Sequence, residues 1–250
     1  MEQDFKKRLN ELSEQAFQKN IVCATKFLDP AESAAAEVFL RTKKDTRYIF
    51  SGGYDGAERA RLFFLPDWMC AEDFLCDEYI SSICAKYSFG TLTHRDFLGA
   101  LMALGIKREA IGDILVFDDC AYIFCTPQIS AFITENLTKA GRTGIKCEVC
   151  PLSDIRVPEP EFETVRGTVA SLRADSIVSL AFSISRTSAA ELIRDGKLSV
   201  DHIEEPSPSR EITQDTLLSL RGYGRAKLYD IGGISKKGRH FIELHVFSKK

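Results

Sequence analysis

The chain has 250 residues, of which 44% are hydrophobic and 28% are charged, and its formal net charge is −3. No apolar run approaches the roughly 20 residues that a membrane-spanning helix needs, and the polar N-terminus lacks the apolar core of a signal peptide. These features exclude an integral membrane protein. They predict a soluble, cytoplasmic protein with one large domain or two to three small ones.

Eight cysteines raise the question of a metal site or a disulfide framework. Only Cys147 and Cys150 have the C-x-x-C spacing of metal ligands, and no second pair completes the four ligands of a tetrahedral site. Several others lie in apolar runs such as AYIFC, where a reduced cysteine acts as a small hydrophobic residue. We therefore expect neither a metal ion nor a cofactor.

Residues 1–74 are predicted to form an N-terminal α+β domain. Apolar residues recur at helical spacing near the start, and a second helix is expected at Asp29-Pro30, with Asp29 as its N-cap. The segments RYIF and RLFFL predict two strands around the glycine-rich loop SGGYDGAE. Both the G-x-G-x-x-G and the Gly-Lys-Ser/Thr patterns are missing from this loop, so we do not expect it to bind a nucleotide.

Residues 75–157 are predicted to form a middle α-β-β-α-β sandwich. A helix is expected from Thr93 to Gly105, followed by a hairpin around Asp118-Asp119, another helix and the strand GIKCEVCPL. Two prolines in the next segment, residues 158–172, break any helix and predict a linker or an edge strand.

The triplet His94-Arg95-Asp96 resembles two catalytic motifs. The kinase catalytic loop requires an asparagine five residues after the aspartate, where this chain has Leu101. The His-Arg-Leu-Asp motif of one class of pseudouridine synthases contains a leucine that is missing here. We interpret the triplet as the first turn of a helix in which Asp96 complements the helix dipole, with His94 and Arg95 exposed to contact phosphate. No catalytic residue is predicted.

The C-terminal domain, residues 173–250, is more basic than the rest of the chain. It contains 13 lysines and arginines against 10 acidic residues, and the last 30 residues contain 8 against 2. Such a distribution favours a polyanionic partner.

The stretch SISRTSAAELIRDGKLSVD predicts a helix between a Ser185 cap and Gly196, followed by a strand. On a helical wheel its apolar residues face a core, whereas Arg186 and Arg194 lie on the adjoining edge, separated by the small Ala190. Wheel geometry alone leaves two alternatives open, a solvated helix edge and a surface that binds a phosphate backbone.

This stretch resembles the S-four-type RNA-binding domain, named after a small-subunit ribosomal protein. The signature is a Ser/Thr-Arg start, an alanine, Leu-Ile, a glycine and a valine in the next strand. The usual Arg-Leu-Asp opening is replaced by Arg173-Ala174-Asp175, and the usual Val-Asn-Gly strand end by Val200-Asp201-His202. The matching residues are Ser185-Arg186, Ala189, Leu192-Ile193, Gly196 and Val200.

Three further segments, FSGGYDGAER, LTHRDFLGALMALGIKREAIGDILV and RGYGRAKLYDIGGISKKGR, resemble the bacterial YlmH family. The resemblance implies an α+β fold of three small domains: N-terminal helices with a β-hairpin, a middle RNA-binding domain, and a C-terminal S-four-type domain with a basic tail. It also implies a role like that of the RqcP factor, which binds a large ribosomal subunit obstructed by peptidyl-tRNA while an RqcH-type partner extends the stalled chain. Gene neighbourhood links the family to cell division.

The same resemblance implies which residues bind RNA. Arg186, Arg194 and Lys197 are expected to bind rRNA or tRNA phosphates, and Tyr223 either stacks on a base or sugar or packs in the core. The segment SKKGR is expected to be a hairpin tip whose basic residues either contact RNA or only form a solvated turn. The full set is Arg173, Ser185, Arg186, Thr187, Arg194, Lys197, Arg221, Tyr223, Arg225, Lys227, Lys236, Lys237 and Arg239, with secondary contacts at His94, Arg95, Lys107 and Arg108.

The sequence thus predicts a monomeric, non-enzymatic factor that binds RNA on the large ribosomal subunit. The expected partners are rRNA, peptidyl-tRNA and an RqcH-type factor, with no membrane association. Two alternatives remain, an RNA-modifying enzyme of the pseudouridine-synthase type and a cell-division adaptor that needs no RNA.

Overall fold

The computed structural model describes residues 2–43, 46–88, 90–158 and 161–247. The chain divides into two units, Met1–Pro158 and Glu159–Lys250. Each unit contains helices and antiparallel sheets around cores of its own. The α+β class expected from the sequence is therefore confirmed.

The N-terminal part of the first unit is a three-stranded sheet with two helices. Its second helix begins as expected, because Asp29 Oδ1 accepts a hydrogen bond from the Glu32 amide at 2.8 Å, and Glu32 Oε2 accepts one from the Asp29 amide at 2.8 Å. This capping box pairs two amides that the helix itself leaves without partners. The elements are α1 (Glu2–Lys19), β1 (Cys23–Leu28), α2 (Pro30–Leu40), β2 (Tyr48–Ser51) and β3 (Ala60–Phe64), with sheet order β1-β3-β2.

The remainder of the first unit contains a four-stranded antiparallel sheet and a two-stranded ribbon. The expected hairpin around Asp118-Asp119 is present, but the α-β-β-α-β interpretation omitted a central strand, Ser81–Lys86. Its serines, alanine and cysteine carry little strand preference, and its conformation comes from pairing on both sides. The elements are β4 (Ser81–Lys86), α3 (His94–Ala103), β5 (Ile111–Val116), β6 (Cys120–Cys125), α4 (Pro127–Asn136), β7 (Lys139–Ala140), β8 (Thr143–Gly144) and β9 (Lys146–Cys150), with sheet order β5-β6-β4-β9.

All residues of β6 are buried, because both faces of the larger sheet are covered. Phe97 of α3 and Ile133 of α4 pack in the cluster on one face. Phe27 and Phe63 of the N-terminal sheet pack with Phe124 on the other. The segments that the sequence assigns to separate domains, 1–74 and 75–157, thus share an apolar core within the first unit.

The second unit is a six-stranded antiparallel sheet with two helices against one face. Strand β10 lies within the segment 158–172. It is an edge strand of the sheet and pairs with β15 along its whole length. The helices approach this edge closely, since a Cβ on Gly167 would lie 2.8 Å from the Leu180 side chain. The elements are β10 (Phe162–Val169), α5 (Ala174–Ala181), α6 (Arg186–Arg194), β11 (Leu198–Val200), β12 (Ile203–Glu204), β13 (Leu217–Leu220), β14 (Gly224–Ile234) and β15 (His240–Phe247), with sheet order β10-β15-β14-β13-β11-β12.

Both ends of α6 follow the sequence prediction. Ser185 Oγ accepts a hydrogen bond from the Ser188 amide at 3.0 Å, which makes Ser185 the N-cap. Gly196 has a φ of +68°, the left-handed conformation that ends many helices and that glycine adopts without strain. These two local signals fix the length of the helix that carries Arg186 and Arg194.

Candidate nucleic-acid interface

Helix α6 presents its basic residues on the exposed side of the second unit. Arg186 and Arg194 are exposed, whereas Ala189 and Ile193 are fully buried against the core. Ala190, expected between the two arginines on the exposed edge, is buried as well. The buried arc of the helix is therefore wider than the wheel predicts, and the two arginines lie on its borders.

A buried carboxylate holds the first of these arginines in place. Asp175, whose side chain is 7% exposed, accepts hydrogen bonds from Arg173 Nη2 at 3.1 Å and from Arg186 Nε at 3.1 Å. Burial alone would raise the pKa of Asp175, but the two guanidinium groups outweigh it and hold the pKa below its ordinary value. Two half-exposed arginines thus share one negative charge, and this cluster, Arg173, Asp175 and Arg186, keeps one net positive charge.

A second concentration of charge surrounds a groove of about 390 Å³ at the end of α6. We call it the basic groove and define it by Lys197, Arg221 and Arg225, which line it together with glycines and serines. The Arg221 amide donates to the Lys197 carbonyl at 2.9 Å, which brings the two chain segments together. Glu204 also lines the groove, and Lys197 Nζ donates to Asp195 Oδ2 at 3.2 Å, so three positive side chains stand against two negative ones and leave a net charge of +1.

Tyr223 stands beside this groove at the turn between β13 and β14. Its ring lies 6.0 Å from that of Phe182, and about 40% of the residue is exposed. The ring therefore packs on one side and faces solvent on the other. This placement is intermediate between the two roles that the sequence left open, stacking on RNA and packing in the core.

Other expected RNA contacts lie apart from the groove. Lys236 and Lys237 occupy a tight turn at the opposite end of β14 from Gly224, roughly 30 Å away at about 3.3 Å per residue. Arg239 turns back onto β10, where its Nε donates to Thr168 Oγ1 at 3.0 Å. Lys227 pairs with Asp215 at 2.8 Å. The structure brings together only part of the predicted set, and Thr187 is exposed in the first turn of α6.

The secondary contacts all lie in the first unit, with His94 and Arg95 in the first turn of α3 and Lys107 and Arg108 between α3 and β5. Asp96 Oδ2 accepts hydrogen bonds from Thr93 Oγ1 at 2.6 Å and from the Thr93 amide at 2.8 Å, which agrees with the helix-first-turn interpretation. Burial and then the charge of Arg108 lower the pKa of His94 below its ordinary value. Arg108 Nη1 donates to the Ile111 and Gly112 carbonyls at 2.8 and 2.9 Å, whereas Arg95 and Lys107 are exposed.

Sequence reasoning missed a buried carboxylate that holds the glycine-rich loop. Asp113 of β5 accepts hydrogen bonds from Tyr54 Oη at 2.8 Å, the Glu58 amide at 2.7 Å and the Arg59 amide at 3.2 Å. The loop is thus tied to β5 by hydrogen bonds to one side chain. No local pattern in the sequence pairs residues that far apart.

The described residues contain neither a metal-binding cluster nor a membrane-spanning helix. No group of three or more His, Cys, Asp or Glu side chains among them is arranged to hold a metal ion. None of the helices in the described part of the chain is both long and apolar enough to cross a bilayer. Cys147 and Cys150 are free thiols on β9, where a spacing of three points them to opposite faces of the strand.

The two arginines of α6 differ in what they contribute to folding. We expect Arg186→Ala to lower the free energy of unfolding by about 1–2 kcal/mol, because it removes charged hydrogen bonds to buried Asp175, while Arg173 remains. Arg194→Ala, which removes an exposed charge, should change it by less than about 0.5 kcal/mol. Hydrogen exchange of the α5–α6 amides measures both effects locally. Equal protection of these amides from exchange in the two variants would contradict a structural role for Arg186 that Arg194 lacks.

Comparison with known proteins locates the chain among its relatives. Residues 1–67 match a family described as "YlmH, N-terminal", and residues 72–154 match one described as "Putative RNA-binding domain in YlmH". The chain is also 32% identical over 217 residues to "Ribosome-associated protein quality control protein P2" of Bacillus subtilis (strain 168), an alignment that covers 86% of this chain and 83% of that protein. The chain belongs to the YlmH family.

A solved YlmH structure extends the comparison to the fold. "Cell division protein ylmH from Streptococcus pneumoniae" superposes with a TM-score of 0.50 at 27% identity, and the match covers 61% of this chain and 92% of that one. The YlmH alignment to the Bacillus protein is longer than the first unit, 217 residues against 158, so it reaches into the second unit. The resemblance to the YlmH family found in the sequence is thereby confirmed.

Proposed function

We propose that this YlmH-family protein is a non-enzymatic RNA-binding factor of ribosome-associated quality control. It binds the large ribosomal subunit through rRNA and peptidyl-tRNA and holds the tRNA in place, so that an RqcH-type factor extends the stalled chain. It acts as a monomer in the cytoplasm. The name of the Bacillus relative and the RNA-binding description of residues 72–154 support this proposal.

The observation that carries the proposal is the basic groove next to α6. Lys197, Arg221 and Arg225 come from separate chain segments and line one concave surface. A-form RNA hides its base edges in a deep major groove and is recognised through its backbone and its shape. Cations on a concave surface, with glycines that permit close approach, suit phosphate contacts of this kind.

The paired arginines at the start of α6 extend the same surface chemistry. Arg173 and Arg186 each use two of about five guanidinium N–H donors on Asp175. The carboxylate restricts both side chains before RNA arrives, which lowers the entropy lost on binding. Asp175 is therefore a positioning residue in this proposal.

The enzyme alternative has no observation in its favour. Asp96, the one candidate aspartate of the synthase-like triplet, has an oxygen engaged by Thr93 at the helix cap. The cell-division alternative is favoured by the name of the Streptococcus structure. A protein adaptor and an RNA-binding factor differ in whether RNA is required for assembly.

Co-sedimentation with purified large ribosomal subunits tests the proposal. We expect the full-length protein to sediment with the subunits at about 50 mM salt and to be released as salt rises toward about 200 mM, because phosphate contacts displace counterions. Mild nuclease treatment should release it too. Association that withstands both treatments would contradict the proposal and favour a protein-bound adaptor.

A further inference from the structure

In the described part of the second unit, helices cover one face of the sheet and none lies on the other face. Ile242 and Leu244 of β15 and Leu228 of β14 are buried in the core beneath α5 and α6. Side chains alternate along a strand, so Phe241, Glu243 and His245 point to the opposite face. The exposed large apolar residues of β10, β14 and β15 include several on this second face.

Three of these side chains form a column of stacked rings across three neighbouring strands. The Phe162 ring of β10 lies 3.9 Å from the His245 ring of β15, with 9° between their planes. The Tyr229 ring of β14 lies 4.1 Å from the other side of His245, with 17° between planes. We call Phe162, His245 and Tyr229 the aromatic column.

Local features hold the column in this arrangement. The register of β14 with β15 shifts between Leu228 and Asp230, so Tyr229 is an extra residue at a bulge. His245 Nε2 lies 3.3 Å from Glu243 Oε1, and Glu243 Oε2 accepts from Arg166 Nε at 2.7 Å. The central ring is thus oriented from one side and stacked from both faces.

The ends of the column remain open to solvent. Phe162 is 43% exposed and Tyr229 is 49% exposed, although each stacks on His245. If the rings served only to fasten the edge strand, burial of both outer rings would stabilise the sheet further. An ordered column whose two outer rings are exposed to solvent is instead suited to bind another flat group by stacking.

The same face carries charges of both signs around the rings. Lys227, which pairs with Asp215, is opposite His245, and Arg225, which also lines the basic groove, is opposite Phe247, whereas Asp230 is opposite Glu243. Arg166 also lies on this face, with its side chain 76% exposed although it pairs with Glu243. Flat rings among cations are the combination that single-stranded nucleic acids bind, with bases on the rings and phosphates on the cations.

We propose that the aromatic column is a second RNA-binding surface that stacks unpaired bases, separate in chemistry from the basic groove. This inference rests on the proposed RNA-binding function and specifies its target class. The groove contacts backbone of folded RNA, whereas the column takes bases from a loop, a bulge or a strand end. Recognition is tolerant of sequence, because every base has a flat face.

Ring removal tests the column with two defined RNAs, a 12-nucleotide single strand and a hairpin of similar length without unpaired bases in its stem. We expect Tyr229→Ala and Phe162→Ala each to weaken single-strand binding about tenfold, since one base stack is lost, and to leave stem binding unchanged. Tyr229→Phe, which keeps the ring, should bind like the original protein. Hydrogen exchange of β14 and β15 verifies the sheet, and Tyr229→Leu replaces Tyr229→Ala where exchange shows loosening.

The outcomes separate this inference from the proposed function. One outcome is that the original protein binds both RNAs while the loss of a ring leaves single-strand binding unchanged. That result would overturn the proposal that the aromatic column stacks bases, and it would favour a protein partner for this face. Failure of the original protein to bind either RNA would overturn the proposed function itself. Photo-cross-linking of a 5-bromouridine strand to a peptide containing Tyr229 or Phe162 would support base stacking directly.

Discussion

Replacing all three cations of the basic groove with alanine should weaken binding to purified large ribosomal subunits about 100-fold near 100 mM salt. The variant is Lys197→Ala/Arg221→Ala/Arg225→Ala. A charged hydrogen bond to phosphate contributes about 1 kcal/mol or more, and three such losses give about two orders of magnitude. The slope of log affinity against log salt should also fall by about 2 to 3, because three fewer counterions are released.

A matched control removes the same amount of charge elsewhere. Lys7, Arg8 and Lys19 are exposed on α1, so the triple alanine variant of these residues changes net charge equally. It should keep most of the affinity and nearly the whole salt slope. If both triple variants lost affinity alike, attraction by overall charge would explain binding and the groove would have no special role.

The second large effect is on stability, at Asp113 in the first unit. We expect Asp113→Ala to lower the free energy of unfolding of this unit by about 3 kcal/mol, because the Tyr54 hydroxyl and two amides of the glycine-rich loop lose their acceptor. That is a large share of the roughly 5–15 kcal/mol typical of a domain. Trp68, the one tryptophan of the chain, lies in this unit and reports its urea unfolding by fluorescence.

Asp113→Asn is the matched control, since it keeps the shape and one acceptor oxygen but cannot ionise. Burial raises the pKa of Asp113 above its ordinary value, despite the hydrogen bonds that lower it. The folded protein therefore binds the proton more tightly than the unfolded chain, and lowering the pH through the folded-state pKa stabilises Asp113 protein relative to Asp113→Asn. A free energy of unfolding of the Asp113 protein that falls relative to that of Asp113→Asn as the pH is lowered would contradict the raised pKa. An Asp113→Ala protein with an unchanged free energy of unfolding would contradict the role of Asp113 as an acceptor for the loop.

Features set by neighbouring residues were predictable from the sequence. Asp29, Ser185 and Gly196 act at helix ends within a few residues of their partners, and all three were placed correctly. The burial of Ala189 and Ile193 and the exposure of Arg186 and Arg194 also follow from local spacing in α6, whereas the burial of Ala190 does not. Such signals depend on the backbone of one helical turn, which the sequence specifies directly.

Features that depend on tertiary packing were missed. Asp175 meets Arg186 only because α5 and α6 pack side by side, and β4 is a strand because β6 and β9 pair with it. The aromatic column requires the register of three strands and a bulge at Tyr229, none of which a wheel or an alternation pattern determines. The same holds for the contact of Asp113 with Tyr54.

The most direct measurement is a cryo-electron microscopy map of large ribosomal subunits isolated with this protein. We expect RNA backbone against Lys197, Arg221 and Arg225, with the start of α6 facing the same RNA. A map in which the second unit points into solvent, or in which protein alone covers the basic groove, would contradict it.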